Sequence, residues 1–234
     1  MNIMWCITGA GHLLKESIET MKLISKKHDI TIILSKAGEE VIKKYGYYDT
    51  LKRIQKDPNK IIRDKEQEYS YPISGKITNK KQDLIVVTPT TANTTAKIVN
   101  GIADNLVTNV VAQAGKSQIQ TIIVPVDQKE GIVSTILPIF LDLDKCRNCT
   151  PCKPEDLCPQ KAFKAKKVID QQKCDGCNIC YSNCKYDAVI LDKVIKIYIR
   201  KIDADNTTKL ENIESITTVF DPKQIPEHLK DKKR

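Results

Sequence analysis

A chain of 234 residues can bury one α/β core of ordinary size and still supply a small second module. At 41% hydrophobic and 29% charged residues, with no apolar run near the ~20 residues that cross a bilayer, it reads as a globular protein without a membrane span, and Met1 to Thr8 lacks the basic lead and cleavage site of an export signal. The formal charge of +9 does not signal nucleic acid, because the lysines spread along nearly the whole sequence without interleaved aromatics, as a solvated surface does.

The first element is a buried strand, Asn2-Ile-Met-Trp-Cys-Ile-Thr8. The turn Gly9-Ala10-Gly11-His12 leads into Leu13 to Ile24, whose apolar residues recur at helical spacing. Ile30 to Leu34 is a second strand that ends in Ser35-Lys36-Ala37-Gly38 ahead of another helix, and Leu84 to Thr88 and Thr121 to Pro125 are further short β-branched runs. Strands alternating with helices predict an α/β fold, a doubly wound parallel sheet of Rossmann-like type over residues 1–143. In such a sheet ligands sit at the carboxyl ends of the strands, where helix N-termini offer free amides to an anion. Three polar loops converge there: Gly9 to His12, Ser35-Lys36, and Pro89 to Thr95. The glycine turn alone is weak evidence, since a plain strand-helix turn uses the same residues and the full dinucleotide fingerprint is absent.

The third loop carries more information. Pro89-Thr90-Thr91-Ala92-Asn93-Thr94-Thr95-Ala96-Lys97 and Asn100-Gly-Ile-Ala-Asp-Asn-Leu106 resemble the signature of the flavoprotein family that includes phosphopantothenoylcysteine decarboxylases and flavin prenyltransferases, over roughly residues 1–125. The resemblance implies FMN as cofactor, held by Gly9, Ala10, Gly11, Ser35, Thr90, Thr91, Ala92, Asn93 and Thr94, with His12 beside the phosphate loop, and a trimer or assembly of trimers. It also implies a catalytic histidine eight residues before Asp83, where this chain has Gly75, and a later P-A-M-N segment, replaced here by Pro125-Val-Asp-Gln128. The decarboxylase base is therefore missing, and Asp127 is the candidate proton donor. Tyr45, Tyr47, Tyr48, Tyr69 and Tyr71 either cover a flavin face or pack, with packing favoured.

Of nine cysteines, Cys6 stands alone in the first strand as a small apolar residue, and eight lie between Cys146 and Cys184. Cys146-x-x-Cys149-x-x-Cys152 with Cys158, and Cys174-x-x-Cys177-x-x-Cys180 with Cys184, match the way a short loop wraps three corners of a cubane while the fourth ligand arrives from elsewhere. Zinc sites use spaced pairs instead. In two-cluster ferredoxins the fourth ligand crosses between motifs, which assigns one 4Fe-4S cluster to Cys146, Cys149, Cys152 and Cys184 and the other to Cys174, Cys177, Cys180 and Cys158. Residues 144–192 thus read as a small α+β ferredoxin-like domain in a reducing, cytoplasmic compartment. Two oxidised clusters with their thiolates, at about −2 each, would cancel roughly four of the positive charges. Lys164 to Lys167, beside the clusters, is a solvated face or a dock for an acidic ferredoxin. Residues 193–234 read as two strands, 193–199 and 215–220, joined by a polar turn and forming a strand pair or an extension of the first sheet's edge, followed from Asp221 by a loose charged tail.

The whole arrangement resembles the archaeal flavoproteins related to dihydromethanopterin reductase (acceptor). That resemblance implies an oxidoreductase that takes single electrons from reduced ferredoxin or a flavin through two clusters onto FMN and reduces a pterin, dihydromethanopterin to tetrahydromethanopterin. Two alternatives stay open on the residues alone: an electron carrier without an organic substrate, and an FMN-dependent decarboxylase with a ferredoxin attached.

Overall fold

The computed structural model describes residues 1–68, 71–79, 81–165 and 168–229; Tyr69, Lys166, Lys167 and the last five residues of the tail lie outside them. The first half runs β1 (Asn2–Ile7), α1 (Leu14–Ile24), β2 (Asp29–Leu34), α2 (Lys36–Lys44), α3 (Tyr48–Ile54), β3 (Ile61–Arg63), α4 (Ile73–Thr78), β4 (Leu84–Thr90), α5 (Ala92–Val99), α6 (Leu106–Lys116) and β5 (Thr121–Pro125). All its strand pairs are parallel, as short β-branched strands with helical crossovers require.

Alternate residues of β1 feed opposite faces of this sheet. Ile3, Trp5 and Ile7 pack with Leu14, Ile18 and Met21 of α1 on one side, and Met4 and Cys6 pack with Leu106, Val107 and Val110 of α6 on the other. Cys6 is fully buried, and that burial pushes its thiol far above the usual cysteine range, so it serves packing.

The chain then leaves the sheet. β6 (Gly131–Leu141) and β9 (Val189–Ile199) form a long antiparallel ribbon, with Gly131 opposite Ile199 and Leu141 opposite Val189. At its far end sit α7 (Lys153–Leu157), the small hairpin of β7 (Phe163–Lys164) and β8 (Val168–Ile169), and α8 (Ile179–Asn183). Ile139, Leu141, Phe163, Ile169, Ala188 and Val189 make a third core there, shared with Cys146 and Cys180. After β9 the chain returns through α9 (Lys201–Leu210), which packs on α5, to β10 (Ile216–Thr218), parallel to β5 at the edge of the first sheet. The sheet order is β10-β5-β4-β1-β2-β3.

Two expectations for the C-terminal residues are corrected. The polar segment after Ile199 is a helix, and the charged stretch from Asp221 is not loose as far as residue 229. Its 3-10 turns span Pro222–His228, Ile225 is fully buried, and the segment packs on α1. Of the two options for 193–199 and 215–220, β10 takes the edge extension while β9 pairs with β6. Among the described residues no helix is long and apolar enough to cross a membrane.

Candidate functional site

Strand order reverses between β1 and β4, so their carboxyl ends open a crevice between diverging helices. Four adjacent strands deliver their loops to this edge: β5 leads to Asp127, β4 to Thr90 and Thr91, β1 to Gly9 to His12, and β2 to Ser35. The helix N-termini here are capped by hydroxyls. Ser35 Oγ accepts from the Gly38 amide at 3.0 Å to start α2, and Thr91 Oγ1 accepts from the Thr94 amide at 3.2 Å to start α5.

The loops are bolted together by a residue that the motif reading overlooked. Thr8 Oγ1 donates to the Pro89 carbonyl at 2.7 Å and accepts from the Thr91 amide at 2.9 Å. Such a buried hydroxyl at the end of a strand looks like one more β-branched residue in sequence, so no signal marks it. The glycines fix how closely the loops approach. A Cβ on Gly38 would stand 2.3 Å from the Ile7 carbonyl oxygen, and one on Gly9 would stand 2.5 Å from the Ala37 Cβ. Close-packed loops and the hydroxyl-capped N-termini of α2 and α5 thus meet at one edge of the sheet, a setting that suits a phosphate and its ribityl chain.

Asp127 sits half-buried at the crevice rim. The Ala92 amide at the start of α5 donates to its carboxylate, but burial, reinforced by the Asp203 charge, outweighs that bond and the nearby His12 and Arg200, so its pKa is raised above the ordinary carboxylate range. His12 is also half-buried, and burial lowers its pKa against the pull of Glu16 and Asp127. Both groups are therefore biased toward their neutral forms. α9 supports Asp127 from behind: Thr207 Oγ1 donates to its backbone carbonyl at 2.7 Å, and Asp203 is clamped by Arg200 through bonds of 2.7 and 2.9 Å. Gly75, where the decarboxylases carry their histidine, lies on α4 with nothing within 4 Å of where a Cβ would stand.

The eight cysteines of the second module fall into two groups that mix the motifs. Cys146, Cys149, Cys152 and Cys184 line one cavity of about 160 Å³. Cys158 lies instead with Cys174, Cys177 and Cys180, whose thiols it pushes up electrostatically after burial has done so, Cys180 reaching about 11. Peptide N–H groups point at the sulfurs: Glu155 at Cys152, Ala162 at Cys158 over 3.2 Å, Gly176 at Cys174, Ile179 at Cys177 and Tyr181 at Cys180. Two groups of four sulfurs, five of the eight sulfurs receiving amide donors, suit anionic thiolate clusters, whose potential such donors tune. No trio of His, Cys, Asp or Glu among the described residues closes on a single-ion site.

The two halves of the chain touch. Gly176, inside the second cysteine loop, packs on the carbonyls of Lys43 and Lys44 and the amide of Gly46, just past the end of α2. Between them and the crevice stands Tyr45, whose hydroxyl donates to the Ile136 carbonyl of the ribbon at 2.7 Å and whose ring end occupies the space a Cβ on Gly11 would need. Of the five tyrosines, Tyr45 and Tyr47 thus border the first glycine loop, Tyr48 packs among Lys43, Lys52 and Arg63, and Tyr71 reaches the Asp104 carbonyl.

The flavoprotein family model matches residues 1–131. Over nearly its full length the chain is similar to two curated proteins named dihydromethanopterin reductase (acceptor). That of Methanocaldococcus jannaschii is 44% identical over 235 residues, 97% of this chain and 95% of the relative. That of Methanosarcina mazei is 36% identical over 234 residues, 96% of this chain and 97% of the relative. Among solved structures, Burkholderia xenovorans DmrB in complex with FMN, described as a cubic protein cage for redox transfer, matches with a TM-score of 0.63 at 24% identity, covering 97% of this chain and 92% of that one. This last likeness speaks for the fold.

Proposed function

The chain belongs to the dihydromethanopterin reductase (acceptor) family of flavoproteins, and from that membership we propose that it reduces dihydromethanopterin to tetrahydromethanopterin, holding FMN in the crevice and one 4Fe-4S cluster on each cysteine group. When bound, FMN exchanges electrons in pairs and the clusters exchange them singly, which matches a one-electron donor such as reduced ferredoxin to the two-electron reduction of a C=N bond.

The observation that carries this reading is the packing of the second cysteine loop on the end of the helix that Ser35 starts at the crevice. In it Gly9, Ala10, Gly11, Ser35, Thr90, Thr91, Ala92, Asn93 and Thr94 hold the phosphate and ribityl chain, and His12 lies at the flavin's flank. Asp127 holds at its carboxyl the proton that the reduced nitrogen takes up, and its raised pKa supports that role. Arg200, Asp203 and Thr207 position it. Cys146, Cys149, Cys152 and Cys184 ligate one cluster, and Cys158, Cys174, Cys177 and Cys180 the other.

The protein acts as a homo-oligomer, a trimer or an assembly of trimers, in the cytoplasm. Ile132, Ile136, Val194 and Tyr198 stand exposed on one face of a two-stranded ribbon, an area that calls for cover, and eight cysteines spaced for clusters suit a reducing compartment. The test is an anaerobic assay of the full-length protein with reduced ferredoxin and dihydromethanopterin. Turnover to the tetrahydro form is expected, whereas flavin reduction without pterin turnover would reassign the protein as an electron carrier.

A further inference from the structure

Between the first glycine loop and the ribbon lies a cavity of about 220 Å³, bordered by His12, Glu16, Tyr45, Tyr47, Thr135 and Asp192. At ~30 Å³ per water it holds about seven waters, the scale of a small ring system. It adjoins the FMN crevice through His12, which feels the charges of both Glu16 on this side and Asp127 on the other. Two half-buried phenol rings wall it, and Tyr45 is fixed there by its bond to the Ile136 carbonyl.

Asp192 is the feature of this cavity without a structural partner. Its carboxylate lies near enough to Tyr45 and Tyr47 to add to the effect of burial in raising both phenols' pKa values, and no hydrogen bond or ion pair reaches it among the described residues. Its backbone is left-handed, with φ +55, at the point where ribbon pairing skips between Leu137–Lys193 and Ile139–Leu191. Aspartate tolerates that conformation. Glu16, by contrast, sits in the first turn of α1, where the helix dipole favours a negative charge, and its field reaches His12.

A carboxylate accepts two parallel N–H bonds from any planar group that offers adjacent donors. The 2-amino-4-oxo edge of a pterin offers such a pair, its N3–H and its 2-amino group, and its flat ring stacks on a tyrosine. We propose that this cavity is the pteridine site: Asp192 accepts the N3–H and 2-amino hydrogens, Tyr47 packs on the ring, and the reducible edge is turned toward His12 and the crevice. The assignment rests on the activity proposed above and adds to it where the substrate binds and what reads it.

The test is equilibrium binding of 7,8-dihydropterin, and of its 2-oxo counterpart, to anaerobic FMN-loaded full-length protein, with wild type, Asp192→Asn and Tyr47→Leu compared. Expected is a loss of dihydropterin affinity of about tenfold to hundredfold in Asp192→Asn, with FMN content retained. Discrimination against the 2-oxo compound should also shrink, a change that general loosening of the fold would not produce. Tyr47→Leu should weaken both ligands alike. Unchanged affinity and unchanged discrimination in Asp192→Asn would overturn the site while leaving the activity standing. Wild-type protein that loads FMN but binds no dihydropterin would overturn the activity and the site together.

Discussion

Gly176 and Gly46 meet back to back: a Cβ on Gly176 would stand 2.8 Å from the Gly46 nitrogen and 2.5 Å from the Lys43 oxygen, and one on Gly46 would stand 3.1 Å from the Gly176 oxygen. Gly176 and Asn148 are equivalent positions of the two Cys-x-x-Cys loops, and both are left-handed, with φ +71 and +51. Asparagine tolerates that conformation. At 176 the carbonyls of the last two residues of α2 come so close that only hydrogen fits. The difference between the two motifs thus records which of them docks on the first domain, the group of Cys158, Cys174, Cys177 and Cys180.

Gly176→Ala is expected to destabilise the protein by about 1–3 kcal/mol, read as a lower denaturant midpoint, because the contacts are to backbone that cannot step aside. Asn148→Gly, a change at the equivalent position without such contacts, should stay within about 1 kcal/mol of wild type. Equal effects of the two substitutions would mean that the contact is not maintained in solution.

The crossed sharing of cysteines has a separable signature. Cys184→Ser should empty the group with Cys146, Cys149 and Cys152, and Cys158→Ser the group with Cys174, Cys177 and Cys180, each variant retaining roughly half the iron of wild type. Electron paramagnetic resonance of the two reduced variants should give two different residual spectra. If Cys158→Ser instead left the same spectrum as Cys149→Ser, the fourth ligand would belong to its own motif.

Asp127→Asn should slow pterin reduction at saturating donor. Wild-type activity should fall as pH rises through the Asp127 pKa, which lies above the ordinary carboxylate range, and the variant should lack that limb. The effect on stability has the same sign. A carboxyl whose folded pKa is raised favours the fold while protonated and disfavours it as pH climbs through the raised value, so the variant should gain stability over wild type at higher pH. A rate unchanged in Asp127→Asn at every pH would remove Asp127 from the chemistry.

How much of this was legible in sequence follows from what kind of residue does each job. The sheet and crevice were readable because Ile3 to Ile7 and Ile30 to Leu34 are apolar runs and Thr90 to Thr94 belongs to a specific motif. The cysteine groups were readable from spacing. α9 was not, because the face it buries, Asp203, Asn206, Thr207 and Leu210, has helical spacing but almost no apolar residues for periodicity to register. The ordered stretch after Asp221 hid for a related reason, since its anchor is one fully buried residue, Ile225, among charges and prolines. The support for Asp127 escaped as well: Arg200, Asp203 and Thr207 come from a helix separated from it by the whole cysteine module.

The most direct test of two redox sites joined in one chain is quantification of FMN, iron and sulfide, with an absorbance spectrum, on full-length protein purified without oxygen. One FMN and about eight irons per chain, with flavin and cluster absorbance that both bleach on reduction, are expected. A colourless protein holding zinc, or one that takes up iron but no FMN, would contradict it.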